Sequence, residues 1–246
     1  MKTIKAILIL NLFFAGLISN AQISVVYDND GFVNVREKPS VKSKITGKII
    51  EGQAFCISPF DDENGDKEWA KVWYPINPDP KNKDFIRYKD IKEEGFVHKS
   101  RILEVEKLEG FSFRTDNPKK ISLKTDHLQI NIEIQSFEKA NHQVTRKKDG
   151  GFSIDRNPDY WGLQGEIPKN EVKNIKIATG NNSYVFPKNA FMGIYDLNLE
   201  FTKLYIGKKD ELYLKMSGGD GSDSYEIIWC LKNHKIFSMT VMQIIP

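Results

Sequence analysis

The chain has 246 residues, with 36 lysines and arginines against 33 aspartates and glutamates, and a formal net charge of +3. Nucleic-acid binding needs a basic surplus concentrated on one face, so this near-neutral balance argues against a nucleic-acid partner. The two cysteines are too few for a thiolate zinc cluster, and we expect no bound metal or cofactor.

An export signal is predicted at the N-terminus. Lys2 and Lys5 precede an apolar run over residues 6–18, and the following Ser-Asn-Ala puts small residues where a signal peptidase reads them. The run is shorter than the roughly 20 residues that a transmembrane helix needs. We therefore expect cleavage after Ala21, a periplasmic or secreted protein, and no membrane span in the mature chain. An uncleaved N-terminal anchor is the alternative.

Residues 22–106 are predicted to form a small β-barrel, because five or six short strand-like runs alternate with turn signals and no helical period is present. The first diagnostic run, "GFVNVREKPS", is rich in strand-forming residues and stops at Pro39, which has no N–H for pairing. The later runs are "KITGKIIEGQAFCI" (44–57), "WAKVWY" (69–74) and "GFVHKSRIL" (95–103).

In this order the runs resemble the bacterial SH3 domain, whose pattern is a G-x-V-N-V-R strand, a P-S turn, an x-I-G-x-I-x-x-G hairpin, a W-x-K-V strand and a G-[FY]-V segment. The residues that carry the resemblance are Gly31, Val33, Asn34, Val35, Arg36, Pro39, Ser40, Gly47, Gly52, Trp69, Lys71, Val72, Gly95, Phe96 and Val97. The resemblance implies an SH3-like barrel that recognises a cell-wall peptide or peptidoglycan, or that simply targets an attached module.

The resemblance also implies a shallow groove beside the loop after the first strand of the pattern. The candidate ligand-binding residues are Arg36, Glu37, Trp69, Trp73 and Tyr74. Aromatic faces supply contact area at low entropic cost, and a charged pair reads the ionic groups of a peptide. The alternative for Arg36 and Glu37 is an exposed structural ion pair.

The run "WAKVWY" predicts a strand with two different faces. Alternation places Ala70 and Val72 on one face and Trp69, Lys71 and Trp73 on the other. Three roles are open for the two tryptophans: they bind a ligand, they pack on the second domain, or the loop that follows covers them.

That loop, residues 75–94, is an insertion relative to the short turn of the resembled family. Connections longer than about 12–15 residues are commonly functional or disordered. The loop contains Phe85, Ile86, Tyr88 and Ile91. These apolar residues favour packing against the barrel over disorder.

Residues 109–246 are predicted to form a β-sandwich-like domain of unknown function with little helix. The run "LQINIEIQSF" (128–137) alternates apolar and polar residues, as a half-buried antiparallel strand does. Hairpins or paired strands are predicted over residues 174–186, 203–216 and 224–245.

Three segments of this domain stand out, and we name them here. They are the tryptophan segment "YWGLQGEIP" (160–168), the proline segment "FPKNAFMGIYDLN" (186–198) and the glycine segment "GGDGSDSYEIIW" (218–229). Together they resemble a module of uncharacterised exported bacterial proteins, with a W-G-x-x-G-x-x-P loop, a P-x-x-A-[FY] segment and a D-G-x-x-S-Y hairpin. The module has no assigned activity, so this resemblance predicts organisation rather than function.

Candidate chemistry is sparse. The four histidines lie in no recognisable nucleophilic or zinc pattern. For glycan cleavage by two carboxylates, Glu166 and Asp155 are the pair to test first, with loop structure as the alternative. Asp220, Ser222 and Asp223 either hold a calcium ion or form a glycine-rich turn, and the missing EF-hand spacing favours the turn.

The cysteines, Cys56 and Cys230, each sit in an apolar run. An exported protein permits a disulfide between them. Two buried free thiols are the alternative, which we prefer because lone cysteines are among the most buried residues.

We therefore expect an exported, non-catalytic binding protein of the cell envelope, with a cell-wall peptide, peptidoglycan or an envelope protein as partner. A second hypothesis is a periplasmic inhibitor or immunity protein that blocks a wall-degrading enzyme through the inserted loop. It expects deletion of residues 79–91 to leave the fold intact. A third hypothesis is a glycan hydrolase that uses the C-terminal carboxylates.

Overall fold

The computed structural model describes residues 22–58, 66–75, 79, 81–88, 93–148, 150–157, 160–163 and 165–243. The prediction of an all-β protein is confirmed, since the described residues form twenty strands and only short 3-10 helices. The predicted signal peptide, residues 1–21, lies outside the described residues. Within the described part of the chain, no helix has the length and apolar character needed to cross a membrane.

The strands are, in chain order, β1 (Gln22–Val26), β2 (Phe32–Arg36), β3 (Ile45–Ile50), β4 (Phe55–Ile57), β5 (Trp69–Tyr74), β6 (Ile86–Tyr88), β7 (Glu93–His98), β8 (Ile102–Glu104), β9 (Glu109–Ser112), β10 (Arg114–Asn117), β11 (Lys120–Lys124), β12 (Gln129–Ser136), β13 (Val144–Arg146), β14 (Phe152–Ile154), β15 (Asn170–Thr179), β16 (Asn182–Val185), β17 (Leu197–Ile206), β18 (Leu212–Gly218), β19 (Tyr225–Lys232) and β20 (Lys235–Gln243). The described 3-10 helices are Lys99–Arg101, Val105–Lys107, Lys139–Asn141, Lys188–Ala190 and Gly221–Asp223.

The N-terminal strands form a seven-stranded curled sheet in the order β3-β2-β7-β5-β4-β1-β8. Its core contains Val33, Val35, Ala70, Val72 and Tyr74, all from positions that alternate along β2 and β5. The predicted alternation of "WAKVWY" is therefore present, with Ala70 and Val72 fully buried on one face. Strand β3 pairs with β2 rather than with the following β4, so the turn between β3 and β4 does not close a hairpin.

The C-terminal part forms most of two further sheets, of five and six strands, that pack face to face over one core. One sheet has the order β10-β11-β12-β15-β16 and the other β6-β20-β19-β18-β17-β9. Strand β12 shows why the sequence folds this way, because Ile130, Ile132 and Ile134 are buried while the intervening polar residues face outward. The core joins these isoleucines to apolar residues of the other sheet, such as Leu214 and Trp229.

The predicted turns are present between these strands. Gly180 connects β15 to β16 at a φ of +53°. Asn233 and His234 connect β19 to β20 with φ values of 50° and 61°, and asparagine is one of the residues that tolerate this left-handed region best.

The described middle of the inserted loop, residues 81–88, packs on the sandwich, whereas the expectation was packing against the barrel. Its strand β6 pairs in parallel with β20, where Ile86 lies opposite Ser238. Phe85 joins the sandwich core and is 7% exposed. The edge of β20 offers unpaired backbone groups, and β6 satisfies them. Residues 76–78, 80 and 89–92 of the loop lie outside the described residues.

A second core cluster joins the curled sheet to the sandwich. Ile23 and Cys56 from the first unit pack with Cys230 and Met242 from the second, and half-buried Trp73 packs against this cluster. Both cysteines are free thiols, and burial raises the pKa of each to about 12. Of the roles open to Trp73, domain contact is therefore the one that the structure supports.

Candidate functional site

The three aromatic residues predicted to line the barrel groove pack against other residues of the fold. Trp69 is 7% exposed and meets the ring of His98 edge-on, at 5.3 Å between centroids. Tyr74 is 1% exposed, and its hydroxyl fills the space where a Cβ on Gly47 would lie. Trp73 packs against the cluster between the two units.

The two charged residues of the predicted groove, Arg36 and Glu37, have different surroundings. The guanidinium of Arg36 donates to the carbonyl of Ser43 at 2.7 Å, which fixes the loop after β2. Glu37 is exposed and is the only one of the five candidates that is. The five residues therefore do not share one open groove, and their role in ligand binding stays a prediction.

The structure does bring the tryptophan, proline and glycine segments together. The backbone N–H of Trp161 donates to the carbonyl of Gly193 at 2.8 Å, and the N–H of Tyr195 donates to the carbonyl of Trp161 at 3.2 Å. From the glycine segment, the hydroxyl of Tyr225 donates to the carbonyl of Tyr195 at 2.5 Å. Three stretches that are distant in sequence thus form one hydrogen-bonded junction.

Glycines make this junction sterically feasible. Gly162 has a φ of +85°, and a Cβ there would lie 2.5 Å from the carbonyl oxygen of Tyr195. Gly219 has a φ of +71°, and its N–H donates to the carbonyl of Asp196 at 3.1 Å. Both positions combine a left-handed backbone with close backbone approach, which only glycine accepts without strain.

A cavity of about 570 Å³ opens between this junction and the edge of the five-stranded sheet. The buried side chains of its lining are apolar and belong to Ile134, Leu163, Leu197 and Leu199. The size falls within the roughly 300–1,000 Å³ that small-molecule sites occupy. This cavity, which we call the acidic cavity, is the candidate functional site.

Carboxylates dominate the charge of the acidic cavity. Among its lining residues are Glu166, Asp196, Glu200 and Asp220, against the single cation Lys169. Asp196 is fixed, since its Oδ1 accepts the backbone N–H groups of Lys169 and the next residue at 2.8 Å each. The other three acids are exposed. The cavity therefore favours ammonium and hydroxyl donors and disfavours phosphate or sulfate.

The two carboxylates predicted for glycan cleavage have different surroundings. Glu166 lines the acidic cavity, whereas the described lining residues do not include Asp155. Asp155 instead accepts hydrogen bonds from His142 and from the backbone N–H of Gln143, at 2.7 and 2.8 Å. In the described part of the chain, no three His, Cys, Asp or Glu side chains are grouped to hold a metal.

An imidazole held between two carboxylates lies next to this junction. His142 Nδ1 is 2.7 Å from Asp155 Oδ2, and its Nε2 is 3.2 Å from Glu171 Oε2. Phe137 stacks on the imidazole at 4.4 Å and meets Tyr195 edge-on at 5.7 Å. The cluster fastens the β13–β14 hairpin to the five-stranded sheet.

The contacts of His142 with Asp155 and Glu171, which we call the histidine clasp, predict a pH-dependent stability. Burial of the ring opposes protonation, but the hydrogen bond to Asp155 and the charge of Glu171 outweigh it, so the pKa of His142 is raised above 6.5. A raised pKa contributes stability that is complete below the unfolded value and is lost as pH rises through the folded value. The excess stability of wild type over His142→Gln should therefore shrink as the pH rises above the ordinary histidine value of 6.5.

Urea unfolding at stepped pH measures this difference. The matched control is His127→Gln, which removes an exposed imidazole and should change the free energy of unfolding by no more than about 0.5 kcal/mol. A constant difference between wild type and His142→Gln would show that the clasp carries no charge-dependent stability.

No family model, curated protein or solved structure matches this chain. The acidic cavity is therefore interpreted from its own geometry and chemistry. The resemblance of residues 22–106 to bacterial SH3 domains stays a prediction from the sequence.

Proposed function

We propose that this chain is an exported, non-catalytic binding protein of the cell envelope, and that the acidic cavity takes an amine-bearing wall peptide of the peptidoglycan type. The observation that carries the proposal is the lining of the cavity, with four carboxylates against one lysine above an apolar base. Ammonium groups pair with the acids, and the aliphatic parts of the same peptide pack on the leucines.

Two sequence features support the setting of this proposal. The N-terminal residues have the pattern of an export signal, which supports a location outside the cytoplasm. The bacterial SH3 resemblance of the first unit implies a wall ligand. The cavity residues replace the barrel groove as the proposed contact surface, because Trp69 and Tyr74 are buried within the fold.

Glu166→Gln combined with Glu200→Gln should weaken retention on purified sacculi about tenfold or more, because a charge-assisted hydrogen bond contributes about 1.5–3 kcal/mol. Both residues are exposed, so the substitutions leave the core intact. The matched control is Glu37→Gln with Glu68→Gln, two exposed acids of the curled sheet, which should bind as wild type does. Sacculus pull-down with quantified bound fractions is the measurement, and added salt should weaken binding.

Each outcome of this comparison decides something. Loss of retention only in the Glu37 and Glu68 variant would indicate binding at the barrel groove and would contradict binding at the acidic cavity. Absence of wild-type retention would contradict wall binding. The wall material recovered after incubation should give an unchanged muropeptide profile, and new fragments would instead favour the hydrolase hypothesis.

A further inference from the structure

A smaller cavity of about 190 Å³ lies beside the acidic cavity, and three aromatic side chains line it. These are Phe152, Tyr160 and Trp161, all half-buried. Gly162 and Leu163 line both cavities, so one short stretch of backbone separates them. The volume corresponds to about six waters, which is room for one sugar ring. We call it the aromatic cavity.

Apart from the tyrosine hydroxyl, the polar side chains of the aromatic cavity come from the glycine segment and the end of β20. Ser222 and Asp223 line it with exposed side chains. The side-chain amide of Gln243 donates to the carbonyl of Ser222 at 2.7 Å, which holds this turn against β20. Hydroxyl, carboxylate and amide groups therefore lie close to aromatic faces.

The aromatic wall is held in place before any ligand arrives. Trp161 is tied by its backbone to Gly193 and Tyr195, and its ring packs on Tyr225 at 6.0 Å between centroids. Binding to such a surface costs little ordering entropy. Tyr160 is held similarly, since the ammonium of Lys147 lies 4.5 Å from its ring centroid.

We propose that the aromatic cavity binds a pyranose ring, so that the ligand is a glycopeptide with its sugar in the aromatic cavity and its amine-bearing peptide in the acidic cavity. This inference rests on the proposed function. A pyranose presents an apolar C–H face that packs on an aromatic ring, and a rim of hydroxyls that pair with Ser222 and Asp223. The shared Gly162 and Leu163 place the two parts within reach of one linked molecule.

Two probes separate the contributions: a wall stem peptide alone, and the same peptide linked to its amino sugar. By titration calorimetry, wild type should bind the sugar-linked probe about tenfold more tightly than the peptide. Trp161→Leu and Asp223→Ala should each lose this gain and keep the affinity for the peptide alone. Asp126→Ala, which removes an exposed acid between β11 and β12, is the matched control and should keep the gain.

Equal wild-type affinities for the two probes would overturn the inference and leave the proposed function standing, because the peptide still binds. A gain that survives in both variants would also overturn it. Binding of neither probe would overturn the proposed function together with the inference. The Asp223 variant keeps the test valid if loss of Trp161 packing impairs folding, since Asp223 is exposed.

Discussion

Replacing Arg87 by alanine is expected to lower the free energy of unfolding by about 3 kcal/mol, because hydrogen bonds from a charged group contribute about 1.5–3 kcal/mol each. Arg87 lies in β6 and is 5% exposed. Its Nη1 donates to the carbonyl of Asn189 at 3.1 Å and its Nη2 to the carbonyl of Met192 at 3.2 Å. Truncation removes both donors together with the packing of the aliphatic stem. Urea unfolding measures the loss.

Two control variants test the paired hydrogen bonds of the Arg87 guanidinium and the burial of its side chain separately. Arg87→Lys keeps the positive charge, but a lysine ammonium lacks the planar pair of N–H groups that reaches both carbonyls. This variant should therefore retain only part of the stability that Arg87→Ala loses. Arg114→Ala removes an exposed arginine of β10 and should change stability by no more than about 0.5 kcal/mol. An equal effect of Arg87→Ala and Arg114→Ala would contradict the anchoring role.

This anchor bears on the inhibitor hypothesis. That hypothesis expects deletion of residues 79–91 to leave the fold intact. The deletion would remove β6, including its buried Tyr88, together with the buried Phe85 before it, so the structure predicts that it destabilises the sandwich. An inhibitory surface on the described part of this loop would have to use residues other than these buried ones.

Replacing Lys215 by alanine is expected to cost about 3–5 kcal/mol, because it leaves a buried carboxylate without its cation. Lys215 Nζ lies 2.9 Å from Glu226 Oε1, and their side chains are only 9% and 12% exposed. The same ammonium pairs with Glu106 in the link between the two units. Burial raises the pKa of Glu226, although Lys215 opposes that rise. Denaturant unfolding at neutral pH measures the cost.

A double variant separates the charge from the packing. Lys215→Met combined with Glu226→Gln removes both buried charges, and its loss should be much smaller than that of Lys215→Ala. The Lys215→Ala defect should also shrink at acid pH, because protonation of Glu226 removes the unpaired charge and the folded state binds that proton more readily. An additive double variant would contradict the coupling of the two residues.

The sequence predicts local strand structure well because alternation and turn chemistry are local. The buried isoleucines of β12 and the glycine turn after β15 follow from their own neighbours in the chain. The pairing of β6 with β20 does not follow from local sequence, since nothing in the short run 86–88 specifies a partner so distant in the chain. Nor does the sequence indicate that β3 and β4 are separated by three other strands.

The candidate site shows the same division. The tryptophan, proline and glycine segments are recognisable in the sequence, and the structure joins them. Sequence reasoning missed Asp196 and Glu200, because neither lies in a motif with known chemistry. Asp196 carries one signal, a φ of +49° at a residue type that tolerates it, but that signal exists only in the structure. The alternation of residues along β5 predicts which side chains share a face of the strand, but it does not show what packs on that face. The sequence therefore could not show that the aromatic residues of the predicted groove pack within the fold.

The parallel pairing of β6 with β20 has a consequence for biosynthesis. Residues 86–88 leave the ribosome long before the strand that receives them, because Lys235–Gln243 is the last strand of the described chain. Until the strands of the sandwich have been synthesised, Phe85 has no core to enter. Until β20 has been synthesised, β6 has no strand to pair with, and its exposed backbone groups are open to pairing with other chains.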